Sequence, residues 1–271
     1  MNMRKNLIRY PLLALASILA LAPTLWMFFT SIKPRELAYQ PDAMSFTPTL
    51  GAYVEVFTQS AFMLFFFNSL LVGIITTVVS LLVGVLAAYS FARFNTGGLK
   101  TQFGFLSAMI FPPVVIIIPM YFIFFEFGLI NTRAAIILGH LTFGIPLAIW
   151  FLIGFFEELP RELEEAAMID GDTRLEAIFF ILVPSIKEGV IAAGILVFVL
   201  SWNNFIYPLI LAGNEATRTL PIAVANFNTF QGLLISRMAA GIIVIVLPMF
   251  LLAFYVQNYL VQGLAKSGVD G

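Results

Sequence analysis

Cysteine is absent from the 271 residues, and histidine occurs once. The first absence removes any disulfide framework, thiolate metal site or thiol nucleophile, and the second leaves no set of imidazoles for a metal centre. Charge is scarce too: 11% of residues carry it, and the net charge of -1 offers no broad basic surface for nucleic acid. What is abundant is apolar. Hydrophobic residues make up 61% of the chain and the mean hydropathy is +0.98, outside the range of soluble domains. The chain reads as an integral membrane protein whose solvent is lipid, with no metal and no cofactor expected on it.

A lipid-embedded helix needs about 20 predominantly apolar residues, and six charge-free intervals meet that length. They run from Tyr10 to Ile32, Val56 to Ala92, Thr101 to Phe125, Ala134 to Phe156, Gly189 to Asn214 and Met238 to Ala265. The second exceeds one span, so its start near Phe57 to Ala61 is read as a lead-in outside the bilayer. Short alternating strands of the kind a membrane β-barrel requires are not found. The first interval has a basic start and an Ala20-Leu21-Ala22 sequence that mimics a cleavage site, yet Pro23 follows and the apolar run continues through Trp26, Phe28 and Phe29. It is read as a span, not a signal. The expectation is an all-α membrane protein of six transmembrane helices. It forms a single transmembrane domain, with a first span and extracytoplasmic loop (1–62), a core (63–265) and a short tail (266–271).

Six spans put both termini on one side, and basic residues favour the cytoplasmic side. With the N-terminus inside, Arg4, Lys5, Arg9, Arg93, Lys100, Arg161, Arg174, Lys187 and Lys266 are internal, against Lys33, Arg35, Arg133, Arg218 and Arg237 outside. That orientation places the charged segment 157–188 in the cytoplasm, between the fourth and fifth spans. Pro160 suits a first helical turn, and Glu162, Glu164 and Glu165 favour the positive end of its dipole. Gly171 suits the left-handed turn that ends a helix, so helix, turn, helix is predicted, the second segment running through Arg174, Glu176 and Phe179. Small Ala166 and Ala167 admit a close surface, with Leu163, Met168 and Ile169 as apolar anchors and carboxylates as a rim. A solvated amphipathic connector has the same periodicity.

The spacing separates these readings. Glu165-Ala166-Ala167, Gly171 four residues later, then Ile181-Leu182-Val183-Pro184 resembles the signature of ATP-binding-cassette importer permeases, with Val183 where that family usually has Leu. Most of the chain is similar to the carbohydrate-uptake branch, like the second membrane subunit of the maltose importer. The similarity runs through Asn68-Ser69, the stretch Ala88 to Arg93, Gly128 to Thr132, Asp170-Gly171, Trp202 to Phe205, and Thr219-Leu220-Pro221. The resemblance implies a cytoplasmic coupling helix that docks on an ATPase subunit, carried by Glu164, Glu165, Ala166, Ala167, Met168, Asp170, Gly171 and Pro184. It also implies a second homologous permease, two copies of the ATPase holding ATP and Mg, an extracytoplasmic solute-binding protein and a bacterial inner-membrane location. The loop from Gly213 to Arg237, with Asn226, Asn228, Thr229 and Gln231, is expected to reach the binding protein on the same grounds.

No phosphate loop is present: Gly97-Gly98-Leu99-Lys100-Thr101 lacks the required glycine spacing. Fuel must then come from a partner, and the chain is not expected to be an enzyme. Polar residues inside spans are costly unless partnered or wet. Asn68, Ser69, Trp202, Asn203 and Asn204 are therefore candidates for a substrate path, with interhelical hydrogen bonding as the other reading. His140 is read as a packing residue, Gly84 and Ala88 as a close helix crossing, and Pro112, Pro113 and Pro119 as breaks or kinks in the third span. A self-sufficient secondary transporter would need buried acids or lysines, and Glu126 lies only at a span end. A scaffold recruiting a cytosolic protein would leave the outer loops without a role.

Overall fold

A computed structural model describes residues 3–58, 61–229 and 232–267. Helices dominate. In chain order they are α1 (Met3–Ser31), α2 (Gly51–Thr58), α3 (Phe62–Phe94), α4 (Gly98–Ile110), α5 (Pro113–Glu126), α6 (Arg133–Glu157) and α7 (Glu162–Ile169). There follow α8 (Arg174–Glu176), a π-helical stretch Ala177–Leu182, α9 (Val183–Ser185), α10 (Lys187–Trp202), α11 (Ile206–Leu211), α12 (Leu220–Ala225) and α13 (Ile235–Ser267). A two-residue hairpin pairs Asn228 with Leu233 and Thr229 with Gly232.

Among the described residues four helical segments are long and apolar enough to cross a membrane: Tyr10–Ser31, Phe62–Phe94, Arg133–Glu157 and Ile235–Leu252. A fifth candidate is a pair, Arg174–Ser185 with Lys187–Trp202, bent by 86°. The interval from Thr101 to Phe125, expected as one span, is two helices of 13 and 14 residues. The reason is local. A residue before proline is pushed out of the helical region, and Phe111 and Pro112, each followed by a proline, take ψ of 131° and 132°. Pro113 then starts α5, where its missing N–H costs nothing.

The chain forms two compact units, Met1–Met63 with Ala223–Pro248, and Leu64–Ile222 with Met249–Gly271. Within the first, Ser31 Oγ and the Tyr53 hydroxyl are 2.7 Å apart, Phe29 meets Phe46 edge-on, and Glu55 pairs with Arg237. Within the second, α6 is central: it packs against α4, α5, α10 and α11. One core cluster joins Val85, Ala88 and Tyr89 of α3 to Leu152 and Phe156 of α6 and to Ile178, Leu182 and Ile186 beyond them. Another gathers Ile117, Phe124, Ile136, Tyr207 and Leu211. The α3–α6 approach depends on Gly84, where a Cβ would lie 2.6 Å from that of Ala148. Close approach of this kind replaces the hydrophobic drive that lipid cannot supply.

Candidate functional site

The charged segment after α6 folds as helix, turn, helix. Three acids occupy the first turn of α7, favourably placed at its positive end. The helix ends where Gly171 takes φ +104°, with its N–H bonded to Met168 O at 3.3 Å and the Asp172 N–H to Ala167 O at 3.1 Å. A Cβ at Gly171 would touch nothing within 4 Å, so glycine is required there by conformation and not by space. Thr173 then caps the next turn: its Oγ1 accepts from the Glu176 N–H, while the Glu176 carboxylate accepts from the Thr173 N–H at 2.7 Å. This reciprocal capping box restarts the helix at once.

Not all of the predicted interface faces outward. Glu164, expected in the charged rim, is 6% exposed. Its carboxylate accepts a hydrogen bond from the Tyr89 hydroxyl of α3 and lies 3.5 Å from Arg93 Nε and 3.9 Å from Arg174 Nε. The Arg93 contact is an ion pair without hydrogen-bond geometry, and both Arg93 Nε and Nη2 are buried with no hydrogen-bond partner. The Arg174 guanidinium also sits 4.8 Å over the Phe94 ring. A cavity of about 160 Å³ lies beside this cluster, lined by Arg93, Arg161, Glu164, Glu165 and Met168 among others. Ala167 is likewise buried, at 3%. The helical period explains both: Glu164 and Ala167 are three apart and share the inner face.

The outer face carries Glu165, Ala166, Met168, Ile169, Asp170 and Gly171, all exposed. Ile169 is 85% exposed, and Leu163 and Met168 of the same helix are exposed too, so α7 leaves three large apolar side chains uncovered. Pro184 is also exposed, after the π-helical stretch. Sequence reasoning missed Tyr89, Arg93 and Arg174 as the inner support. Their signal was the i, i+4 spacing of Tyr89 and Arg93 on one face of α3.

The polar candidates within spans divide. Asn68 Nδ2 donates to Ala216 O at 2.9 Å and Arg218 O at 2.8 Å, and Ser69 Oγ accepts from the Leu220 N–H at 2.8 Å. Both are buried and hold the 214–220 segment. Trp202 is 1% exposed, stacked on Phe198 and edge-on to Phe66. Burial removes the open ring face that stacking on a sugar requires in this conformation. Asn203 is exposed, and Asn204 Oδ1 caps α11 by accepting the Tyr207 N–H at 3.1 Å. Helix α10 ends at Trp202, so the two asparagines form a break between α10 and α11. His140 Nδ1 lies 2.7 Å from Ser201 Oγ, deep in the packing of α6. Asn226 is exposed, Asn228 and Thr229 belong to the hairpin, and Gln231 lies outside the described residues, as does the tail beyond Ser267.

Residues 80–266 match the binding-protein-dependent transport system inner membrane component family. The chain belongs to this family. It is a multi-pass inner-membrane permease component of an ATP-binding-cassette importer, a class that works with an ATPase and a binding protein. The permease is 37% identical over 265 residues to the sulfoquinovosyl glycerol transport system permease protein SmoH of Agrobacterium fabrum, covering 94% of this chain and 92% of that one. It is 36% identical to the trehalose transport system permease protein SugB of Mycobacterium tuberculosis, with 93% of each covered. In fold it is similar to a chain of a bacterial ABC transporter involved in importing the acidic polysaccharide alginate, with a TM-score of 0.78 at 21% identity over 94% of this chain and 95% of that one.

Proposed function

We propose that this permease carries a sugar or sugar-like solute across the bacterial cytoplasmic membrane, driven by ATP hydrolysed with Mg in two copies of a separate ATPase. The names of its relatives, which move sulfoquinovosyl glycerol and trehalose, support the solute class. The single observation that supports the coupling role is the two-sided build of α7. Its inner face is tied down through Glu164, while Glu165, Ala166, Met168, Ile169, Asp170 and Gly171 face out. A rigidly backed helix transmits displacement; a loose connector does not.

In this reading the chain is one permease domain crossing six times. The broken α4–α5 pair is the third passage, and α10 continuing into α11 is the fifth. The segment Arg174–Ser185, nearly perpendicular to α10, lies along the cytoplasmic surface. Both termini are cytoplasmic, in keeping with the distribution of basic residues. A second homologous permease completes the passage, and the extracytoplasmic loop that carries Asn226, Asn228, Thr229 and Gln231 in sequence meets the solute-binding protein. ATP binding draws the two ATPases together, α7 moves with them, and the cavity turns outward; hydrolysis resets it. Asn203, exposed at the α10–α11 break, is the polar group best placed on the path.

Reconstitution of the permease with its neighbouring permease, ATPase and binding protein tests this reading. Sugar uptake should require ATP and all four components. Uptake by the purified chain alone without ATP would overturn it.

A further inference from the structure

Beyond the end of α1 the chain folds over a cavity of about 530 Å³ that also meets the first turn of α13, entirely within the first unit. That volume is in the range of small-molecule sites, about 300–1,000 Å³. For a chain so poor in charge the lining is dense in it: Lys33, Arg35 and Arg237 against Glu36 and Glu55. Glu55 is paired with Arg237. Beside Lys33 and Arg35 the one further acid in the lining is Glu36.

Lys33 is 2% exposed. Its ammonium donates to Gln40 O at 3.1 Å and stands 5.7–5.9 Å from the ring centres of Trp26, Phe29 and Phe46. Among the described residues no carboxylate pairs with it. An ammonium has three donors, and a buried charge that lacks a counter-ion is a place where an anion gains most. Ser236 lines the same cavity, is 7% exposed, and its hydroxyl oxygen has no hydrogen-bond partner. It belongs to the first turn of α13. There the Met238 N–H closes on Leu234 O, so the N–H groups of Ile235 and Ser236 lie ahead of the first intrahelical bond. Those N–H groups and the helix dipole favour negative charge. The cavity is thus lined by a buried lysine, a serine whose hydroxyl has no hydrogen-bond partner, and the first turn of a helix. The hydroxyls of Thr47 and Thr49 and the Glu36 carboxylate supply acceptors and donors for a hydroxylated body.

We propose that this cavity binds a small hydroxylated oxyanion, a carboxylate or phosphate ester on a body the size of a monosaccharide. Lys33, Ser236 and the first turn of α13 hold the acid group, and Arg35, which is exposed, adds a second cation. The site stands on its own geometry and does not require that the chain transport the same solute.

The full-length chain in phosphatidylcholine nanodiscs is titrated with galacturonate, galactose 6-phosphate and galactose, by calorimetry and by thermal unfolding. The acids should bind and raise the unfolding temperature, while galactose at equal concentration leaves it unchanged. Arg35→Gln and Ser236→Ala should each weaken acid binding by about tenfold, as expected for losing one charge-assisted contact, with the ligand-free unfolding temperature unaltered. Lys33→Gln should abolish it. Absence of binding by both acids, equal binding of galactose, or undiminished affinity in both Arg35→Gln and Ser236→Ala overturns the proposal. Nanodiscs containing phosphatidylglycerol form a final arm: galacturonate affinity should be unchanged, and its loss assigns the cavity to a lipid headgroup and overturns the solute site. Uptake is not read in any arm, so failure here leaves the importer reading untouched.

Discussion

The Tyr89 hydroxyl donates a hydrogen bond to the Glu164 carboxylate, joining the last turns of α3 to the first turn of α7. The contact is buried and shares its acid with Arg93 and Arg174. Glu164→Ala removes the only carboxylate that pairs with Arg93 among the described residues, leaving a side chain 6% exposed without compensation. Breaking a buried pair in this way costs about 3–5 kcal/mol. Tyr89→Phe removes one hydrogen bond to a charged group, about 1.5–3 kcal/mol, and keeps the ring. Thermal unfolding in detergent should rank wild type above Tyr89→Phe above Glu164→Ala. Equal stability of all three would show that the contact carries no weight.

Gly171 separates conformational strain from docking. Its φ of +104° strains any side chain, and the space around it is open. Gly171→Ala and Gly171→Arg should therefore lose similar stability, about 1–2 kcal/mol. Only the arginine obstructs a partner surface, so binding-protein-stimulated ATPase activity in the assembled complex should fall far further in Gly171→Arg. Equal activity in the two variants would remove Gly171 from the interface.

The α3–α6 crossing gives a reciprocal test. Gly84→Ala places a methyl 2.6 Å from the Ala148 Cβ, and overpacking of this sort costs about 1–3 kcal/mol. Ala148→Gly in the same chain should recover much of that loss. A double-mutant cycle with no coupling would mean that the two helices do not meet at this pair.

Deletion of residues 226–231 should leave the permease in the membrane with normal basal ATPase activity in its complex, while stimulation by the binding protein is lost. Full stimulation after the deletion would place the binding-protein contact elsewhere.

Much of this was legible in the chain because membrane solvation is unforgiving: long apolar runs had to be helices, and α1, α3, α6 and α13 are. The end of α7 was legible because only glycine is at ease at φ +104°. The break at Phe111–Pro112 was visible as two prolines, but hydropathy does not distinguish a kinked span from two short helices. Glu164 was misread because adjacent carboxylates look alike in sequence; only Tyr89 and Arg93, more than 70 residues earlier, make it an inward residue while Glu165 stays outside. Trp202 and Asn68 share that difficulty, since a polar or amphipathic group in a span is equally compatible with a path and with packing.

Absence of native cysteine makes the central claim directly measurable. Single cysteines placed at Ala166, Ala167 and Ile169 are cross-linked, in membranes holding the assembled complex, to cysteines on the partner ATPase. The outward face of α7 predicts efficient cross-links from Ala166→Cys and Ile169→Cys and almost none from Ala167→Cys. Cross-linking that is absent at both outer positions, or strongest at Ala167→Cys, would contradict the assignment of α7 as the docking helix.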